Sequence, residues 1–487
     1  MIGIGLLVGL SFFYSFTSTS SHRRGYSRKW RKIGVPTRRV FSFETTRNFS
    51  FKPTNDFSFK QTNDFSFETT RNFSFKPTND LLFKPTREFS FKLKRNYSFI
   101  FNHFTVEKAD CAKLFQGVYP KKRLKLRLYK KLPSSHNIRL TNLLLDSVTD
   151  PHFCDKFKAD RRYVLEPLSD EEVNFSIAYS ILLYTDVPMF ERLLRAIYRP
   201  QNVYCVHVDK SSESEIHEGV RAIARCFENV FIPREIVDVV YAEFSSLYAD
   251  LVCMRDLLKY ARWKYLINLT GQEFPLRTNR ELVRILTIFN GSNSVEGTLK
   301  YRYDHRYNAA SKPIPDYLTV TKGAVHIAAS RTFVDYAINN DTARRFLNWT
   351  VPTYSPDETF FTSLHYSPQL KVPGAYLGPP ESYENNNNRF IARFKNWASG
   401  WEINGTMRLP CAGKYVRGIC VFGVGDLKEL GARPEMFANK FNSDFEPLAY
   451  DCLEERLHKR TTEELVRGDV ELNESFYAEL DFVKHHV

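Results

Sequence analysis

From residue 174 onward the chain alternates between continuous apolar runs and segments whose apolar residues recur at helical spacing. Residues 175–184, FSIAYSILLY, form an apolar run suited to a strand buried on both faces. Residues 187–197, VPMFERLLRAI, carry helical spacing. The run YCVHVD at 204–209 predicts a second buried strand that ends in an acid. Helical spacing over 211–226, an apolar segment at 230–232, a helix over 245–261 and a strand at 265–269 follow, the last leading into Gly271 and the loop QEFPLRTN. This order predicts an α/β fold, a parallel sheet with helices on both faces. Ligands of such sheets bind beyond the carboxyl ends of the strands, which is where Asp209 falls.

Upstream the pattern changes. Between Phe41 and Asn96 an eight-residue unit recurs, FSFETTRN, FSFKPTND and variants. Each unit spends a few apolar residues on a polar run, and recurrent proline opposes helix and central strand, so the segment reads as an extended, largely disordered stem. The period-two Phe-Ser-Phe alternation leaves a stacked β-structure as the alternative, with a repeat shorter than the ~20–50 residues of most solenoid units. Residues 1–14 are apolar and uncharged, short for a membrane span but adequate as a signal h-region. The basic cluster from Arg23 to Arg39 lies on their C-terminal side, opposite to what the positive-inside rule asks of a luminal C-terminus. Signal-anchor and cleaved signal both stay open. The expected organisation is a signal-anchor at 1–17, a basic and repetitive stem at 18–104 and a catalytic domain at 105–487.

The 487 residues are 43% apolar and carry a formal charge of +14, much of it before the first cysteine. No aromatic-basic recognition module accompanies that charge, so nucleic acid is not an expected partner. The 8 cysteines, at 111, 154, 205, 226, 253, 411, 420 and 452, include no CxxC pair, which argues against zinc. Asn-x-Ser/Thr sequons at Asn174, Asn290, Asn340, Asn348, Asn404 and Asn473 suit passage through the secretory pathway, whereas Asn268 falls in a strand expected to be buried. Disulfides suit the same oxidising route.

The stretch YSPDETFF, 354–361, places Glu358 at the first turn of an expected helix. It fits a capping box, Ser355 as N-cap, Pro356 at N1 and Glu358 reaching back, as well as a carboxylate poised as a general base. Asp209 is likewise either a ligand group or a turn residue. There is no GxGxxG, no GxxxxGK[ST] and no Asp-x-Asp, which argues against dinucleotide and P-loop enzymes and leaves a nucleotide-sugar diphosphate without its usual metal handle.

YCVHVDKSSE, ADLVCMRDLLKYARWKYLINLTGQEFPLRTN, YSPDETFF, CAGKYVRGICVFGVGDL and MFANKF occur in this order. Together they resemble the core-2 and I-branching β-1,6-N-acetylglucosaminyltransferases and the related peptide xylosyltransferases over about residues 105–460. The resemblance implies a disulfide-stabilised GT-A-type fold with a Rossmann-like mixed sheet, a UDP-sugar donor, an O-glycan or glycoprotein acceptor and no divalent metal or other cofactor. It implies a Golgi type II membrane protein with a luminal catalytic domain. Glu358 matches the family's base, and Arg417 and Lys440 match the cations that replace a metal at the diphosphate. Leu182, Asp209 and Tyr241 match uridine-binding positions, and Glu296 and Trp397 match acceptor positions. The implied disulfides are Cys111 with Cys452, Cys154 with Cys226, Cys205 with Cys253, and Cys411 with Cys420.

The chain departs from the family at Ser399, where enzymes branching mucin-type glycans carry tyrosine, and at Thr270, where branching enzymes can carry cysteine. After Glu296, Lys300 and Arg302 are the basic residues nearest to a match. The expected activity is inverting transfer of N-acetylglucosamine from UDP-GlcNAc to a C6 hydroxyl. The alternatives are a peptide O-xylosyltransferase and a catalytically silent glycan-binding protein.

Overall fold

The computed structural model describes residues 104–120, 131, 134, 136–300, 302, 304–307, 312–382, 388–398 and 409–487. The N-terminal apolar run, the basic cluster, the octapeptide stem, Ser399 and Asn404 lie outside the described residues.

The expected alternation is present. Strand β1 (Ser176–Leu183) leads into α1 (Val187–Ile197), whose left-handed N-cap Asp186 accepts the Met189 amide before Pro188. Strand β2 (Val203–Val208), α2 (Ser214–Ala224), β3 (Val230–Phe231), α3 (Phe244–Leu257) and β4 (Trp263–Thr270) follow. The first strands are buried almost throughout because helices cover both faces of the sheet.

The sheet extends beyond what the first half of the pattern specified. After β5 (Glu273–Pro275) and α4 (Asn279–Phe289), strands β6 (Ser294–Val295) and β7 (Ile327–Ser330) complete a 6-stranded order β3-β2-β1-β4-β7-β6. β3, β2, β1 and β4 run parallel, while β7 is antiparallel to β4 and to β6. The sheet is therefore mixed, as the resemblance implied, and not wholly parallel as the local pattern predicted. β7 returns by a long irregular connection after β6, which frees it from the direction that a βαβ crossover imposes.

A second sheet joins β5 to β8 (Arg393–Phe394) and β11 (Phe437–Asn439) in the order β5-β11-β8, and β9 (Lys414–Val416) and β10 (Ile419–Val421) form a hairpin. All four implied disulfides are present: Cys111–Cys452, Cys154–Cys226, Cys205–Cys253 and Cys411–Cys420. The third fastens β2 to α3, and the first fastens residue 111 to the long helix α6 (Pro447–Arg467), in which Cys452 lies. A buried ion network reinforces this packing: Arg192 and Arg195 of α1 pair with Glu454 of α6 at 2.8 and 2.5 Å.

Among the sequons, Asn174, Asn290, Asn348 and Asn473 are exposed, while Asn340 is half-buried and caps the helix Asp341–Thr350. Asn268 is buried at 2% exposure, its amide spent on Asp250 and the Val325 carbonyl, as its place in β4 predicted. No helix among the described residues is long and apolar enough to cross a membrane.

Candidate active site

The carboxyl ends of β1, β2 and β4 lie side by side, with Leu182 of β1 in register with His207 and Thr270. Asp209 follows β2 directly. One of its carboxylate oxygens takes the amide and hydroxyl of Ser211 at 2.8 and 2.7 Å, and the other takes the Val239 amide at 3.2 Å. The turn role is thus filled, and it fixes the segment leading to Tyr241.

Tyr241 precedes α3 and is 74% exposed, its ring 5.6 Å from the Arg417 guanidinium carbon. Arg417 and Gly418 link β9 to β10, where Val416 pairs with Ile419, and both have positive φ, 53° and 78°. A two-residue hairpin whose central residues both have positive φ favours Asn or Gly at the first position, so an arginine there carries a conformational cost of order 1 kcal/mol. The Cys411–Cys420 bond closes the hairpin that holds it.

Lys440 follows β11. Its carbonyl accepts the Phe422 amide at 3.0 Å, just beyond β10, so the two cations sit on adjoining segments. Burial and the nearby Arg417 charge both lower the Lys440 pKa. A dianionic ligand between two such cations would relieve their repulsion.

Asn439, next to Lys440, donates to Glu273 at 2.9 Å. That carboxylate also lies 2.7 Å from His326, 3.1 Å from Arg393 and 3.1 Å from the Thr270 hydroxyl. Burial raises the Glu273 pKa, but Arg393 and His326 outweigh it and hold the group below the ordinary carboxylate range. A buried hub therefore ties the end of β4 to the strand that precedes Lys440.

Glu358 does not form the capping box. Ser355 has φ 48° and makes no side-chain cap; Pro356–Glu358 is a single 3-10 turn before the short helix α5 (Phe360–His365). The Glu358 carboxylate instead meets Arg306 at 2.6 Å and lies 4.0 Å from Lys322. Positive charge beside it thus comes from these side chains rather than from a long helix terminus. The loop that carries Glu358 also reaches the Tyr241 segment: the Ser355 amide donates to the Ala242 carbonyl at 2.8 Å. Burial, Tyr354 and Glu358 together push the Tyr241 phenol up.

On the other flank, Glu296 follows β6 and pairs with Lys395 at 3.0 Å. Burial opposes its charge, yet Lys395 and Lys322 prevail and lower its pKa. Lys395 is also 5.8 Å from the half-buried Trp397 ring, so the two acceptor candidates share one cation. Arg302 does not join them. The Lys300 amide is bound by Glu381 and the Arg302 guanidinium pairs with Asp304 at 2.7 Å.

Arg306, Lys322, Lys395 and Glu273 are the residues that sequence reasoning missed. Arg306 stands in the same loop after Glu296 as Arg302, and nothing in local spacing distinguishes the two. Gly323 explains how both flanks meet: its amide donates to the Glu358 carbonyl at 2.8 Å, and an added Cβ would lie 2.1 Å from the Glu296 carbonyl oxygen.

The family model described as Core-2/I-Branching enzyme matches residues 177–431, which span this constellation except Asn439 and Lys440. The chain belongs to the core-2/I-branching enzyme family. A beta-1,3-galactosyl-O-glycosyl-glycoprotein beta-1,6-N-acetylglucosaminyltransferase 3 of Ovis aries is 41% identical over 324 residues, 63% of this chain and 73% of the relative. A Homo sapiens enzyme of the same printed name without the numeral is 37% identical over 379 residues, 73% of this chain and 86% of the relative. Among solved structures, the galactosyltransferase LgtC with donor and acceptor sugar analogs is similar at 11% identity and TM-score 0.31, over 63% of this chain and 100% of that one.

This member of the core-2/I-branching family is a glycosyltransferase. Gly323→Ala in it is expected to force Glu296 and Glu358 apart, because the obstructing atom is a backbone oxygen that cannot swing aside. Displacing reacting groups by about 1 Å can cost on the order of 10²-fold in turnover. Steady-state kinetics of the folded variant check this, and unchanged turnover would detach Gly323 from the site geometry.

Proposed function

We propose that the protein transfers N-acetylglucosamine from UDP-GlcNAc to the C6 hydroxyl of an O-glycan, by one inverting displacement and without a divalent metal. The observation that carries this reading is the position of Glu358, joined to the acceptor-side segment through Gly323 and to the Tyr241 turn through Ser355. Its carboxylate takes the C6 hydroxyl proton as that oxygen bonds to the anomeric carbon. The bond from that carbon to the diphosphate breaks on the opposite face, UDP leaves, and an α-linked donor gives a β-linkage. Arg417 and Lys440 supply donors and charge for the leaving diphosphate, in place of the missing Asp-x-Asp. Leu182 and Tyr241 offer apolar and aromatic surface to the uridine, with Asp209 fixing the intervening turn. Glu296 accepts sugar hydroxyls and Trp397 stacks on a ring.

The disulfides and exposed sequons support a luminal catalytic domain, and with the N-terminal apolar run they support a Golgi type II membrane protein. Full-length protein offered UDP-GlcNAc and UDP-xylose with galactosyl-GalNAc and serine-peptide acceptors tests the assignment. N-acetylglucosamine transferred to the glycan in excess EDTA is the expected result. Xylose on peptide would replace the donor and acceptor, and loss of transfer in EDTA would overturn metal independence.

A further inference from the structure

Next to the proposed base stands a second carboxyl that the transfer reaction does not require. Asp357 Oδ1 accepts the backbone N–H of Glu358 at 3.0 Å, and its Oδ2 lies 3.1 Å from Ser246 Oγ, in the first turn of α3. Ser246 Oγ is also 2.8 Å from the Glu243 carbonyl oxygen. A hydroxyl carries one proton, and a carbonyl can only accept. If Ser246 spends its proton on Glu243, the contact with Asp357 becomes a hydrogen bond only when Asp357 brings the proton.

The surrounding charges agree. Asp357 forms no ion pair among the described residues. Glu358 on its own turn and Asp250 on α3 are both acids, while Arg306 and Lys322 engage Glu358. Burial first, then the Glu358 charge, push the Asp357 pKa up to about 7, against the opposing Ser246 bond.

We propose that Asp357 is a positioning residue for the base: as a neutral carboxylic acid it donates to Ser246 Oγ and accepts the Glu358 N–H, pinning the base loop to the start of α3. The effect on turnover rests on the reading of Glu358 as base; the protonation state of Asp357 does not. Loss of the proton would remove the donor, set two acceptors in competition for one hydroxyl proton and add a negative charge beside Glu358. Turnover would then fall on the alkaline side as Asp357 ionises.

Asp357→Ala is expected to lower kcat by about 10- to 100-fold with KM for both substrates little changed, since the base shifts while the binding groups stay. Asp357→Asn keeps the accepting oxygen and offers an amide N–H in place of the acid O–H. It should recover most of the lost turnover and flatten the alkaline limb. Adding Ser246→Ala to Asp357→Ala should lower turnover little further, because the contact between the two side chains is already gone and Ser246 keeps only its bond to the Glu243 carbonyl.

A readout independent of turnover is the infrared difference between wild-type protein and Asp357→Asn. At about pH 6 it should contain a carboxylic-acid carbonyl band that fades about two units higher. No such band, or Asp357→Asn as impaired as Asp357→Ala, would overturn the proposal. The band present in a protein whose Glu358→Gln variant turns over normally would sink the base assignment instead and leave Asp357 a neutral structural acid.

Discussion

Glu358→Gln should bind UDP and fold as the wild type does, yet turn over on the order of 10² to 10⁴ times more slowly, the usual contribution of a positioned general base. The amide is nearly isosteric, and its oxygen can still accept from Arg306, which reaches Glu358 at 2.6 Å. Folding should therefore be conserved while the proton acceptor is lost. Single-turnover kinetics at saturating donor and acceptor, with UDP affinity measured alongside, separate the two. Near-normal turnover would reduce the Arg306–Glu358 pair to a loop clasp.

Glu273→Ala should be among the most destabilising single substitutions in the described domain, by about 3–5 kcal/mol, because it leaves a buried partner charge uncompensated. Glu273 and Arg393 are both 0% exposed in their side chains. Arg393 would retain its bond to the Asn268 carbonyl but lose its carboxylate. Removing the carboxylate also frees Asn439, so Lys440 should lose its fixed position and UDP affinity should fall with stability. Urea unfolding of the oxidised protein measures the first effect. A loss under about 1 kcal/mol would place the site with ordinary surface ion pairs. Glu273→Gln should lie between, since it can keep the Asn439 and Thr270 contacts.

These two carboxylates mark the limits of what local pattern conveys. Strands near 176–183, 203–208 and 263–270 and the helix at 187–197 were legible because a both-face-buried strand and an amphipathic helix write their burial directly into the order of side chains. Arg417 was marked by the resemblance, and its positive φ in the hairpin that Cys411–Cys420 closes shows the constraint on it. Glu358 was visible only as one of two possibilities, since a capping box and a base share the same letters. Tertiary structure removed the capping box, since Ser355 makes no side-chain cap, and paired the carboxylate with Arg306, 52 positions away in sequence.

Glu273 shows the other side. Its neighbours in sequence suggest only a loop after a strand, yet it gathers groups from positions 270, 326, 393 and 439. The antiparallel returns of β7 and β11 escaped the same local reading, because strand direction depends on how a long connection closes rather than on the residues within the strand. Sequence by itself determined the α/β class, the buried strands and, through the ordered motifs, the cysteine pairs and the residues to examine. Tertiary structure alone decided which charge faces which: an ion pair carries no periodicity, and its members become neighbours only once separate segments have packed.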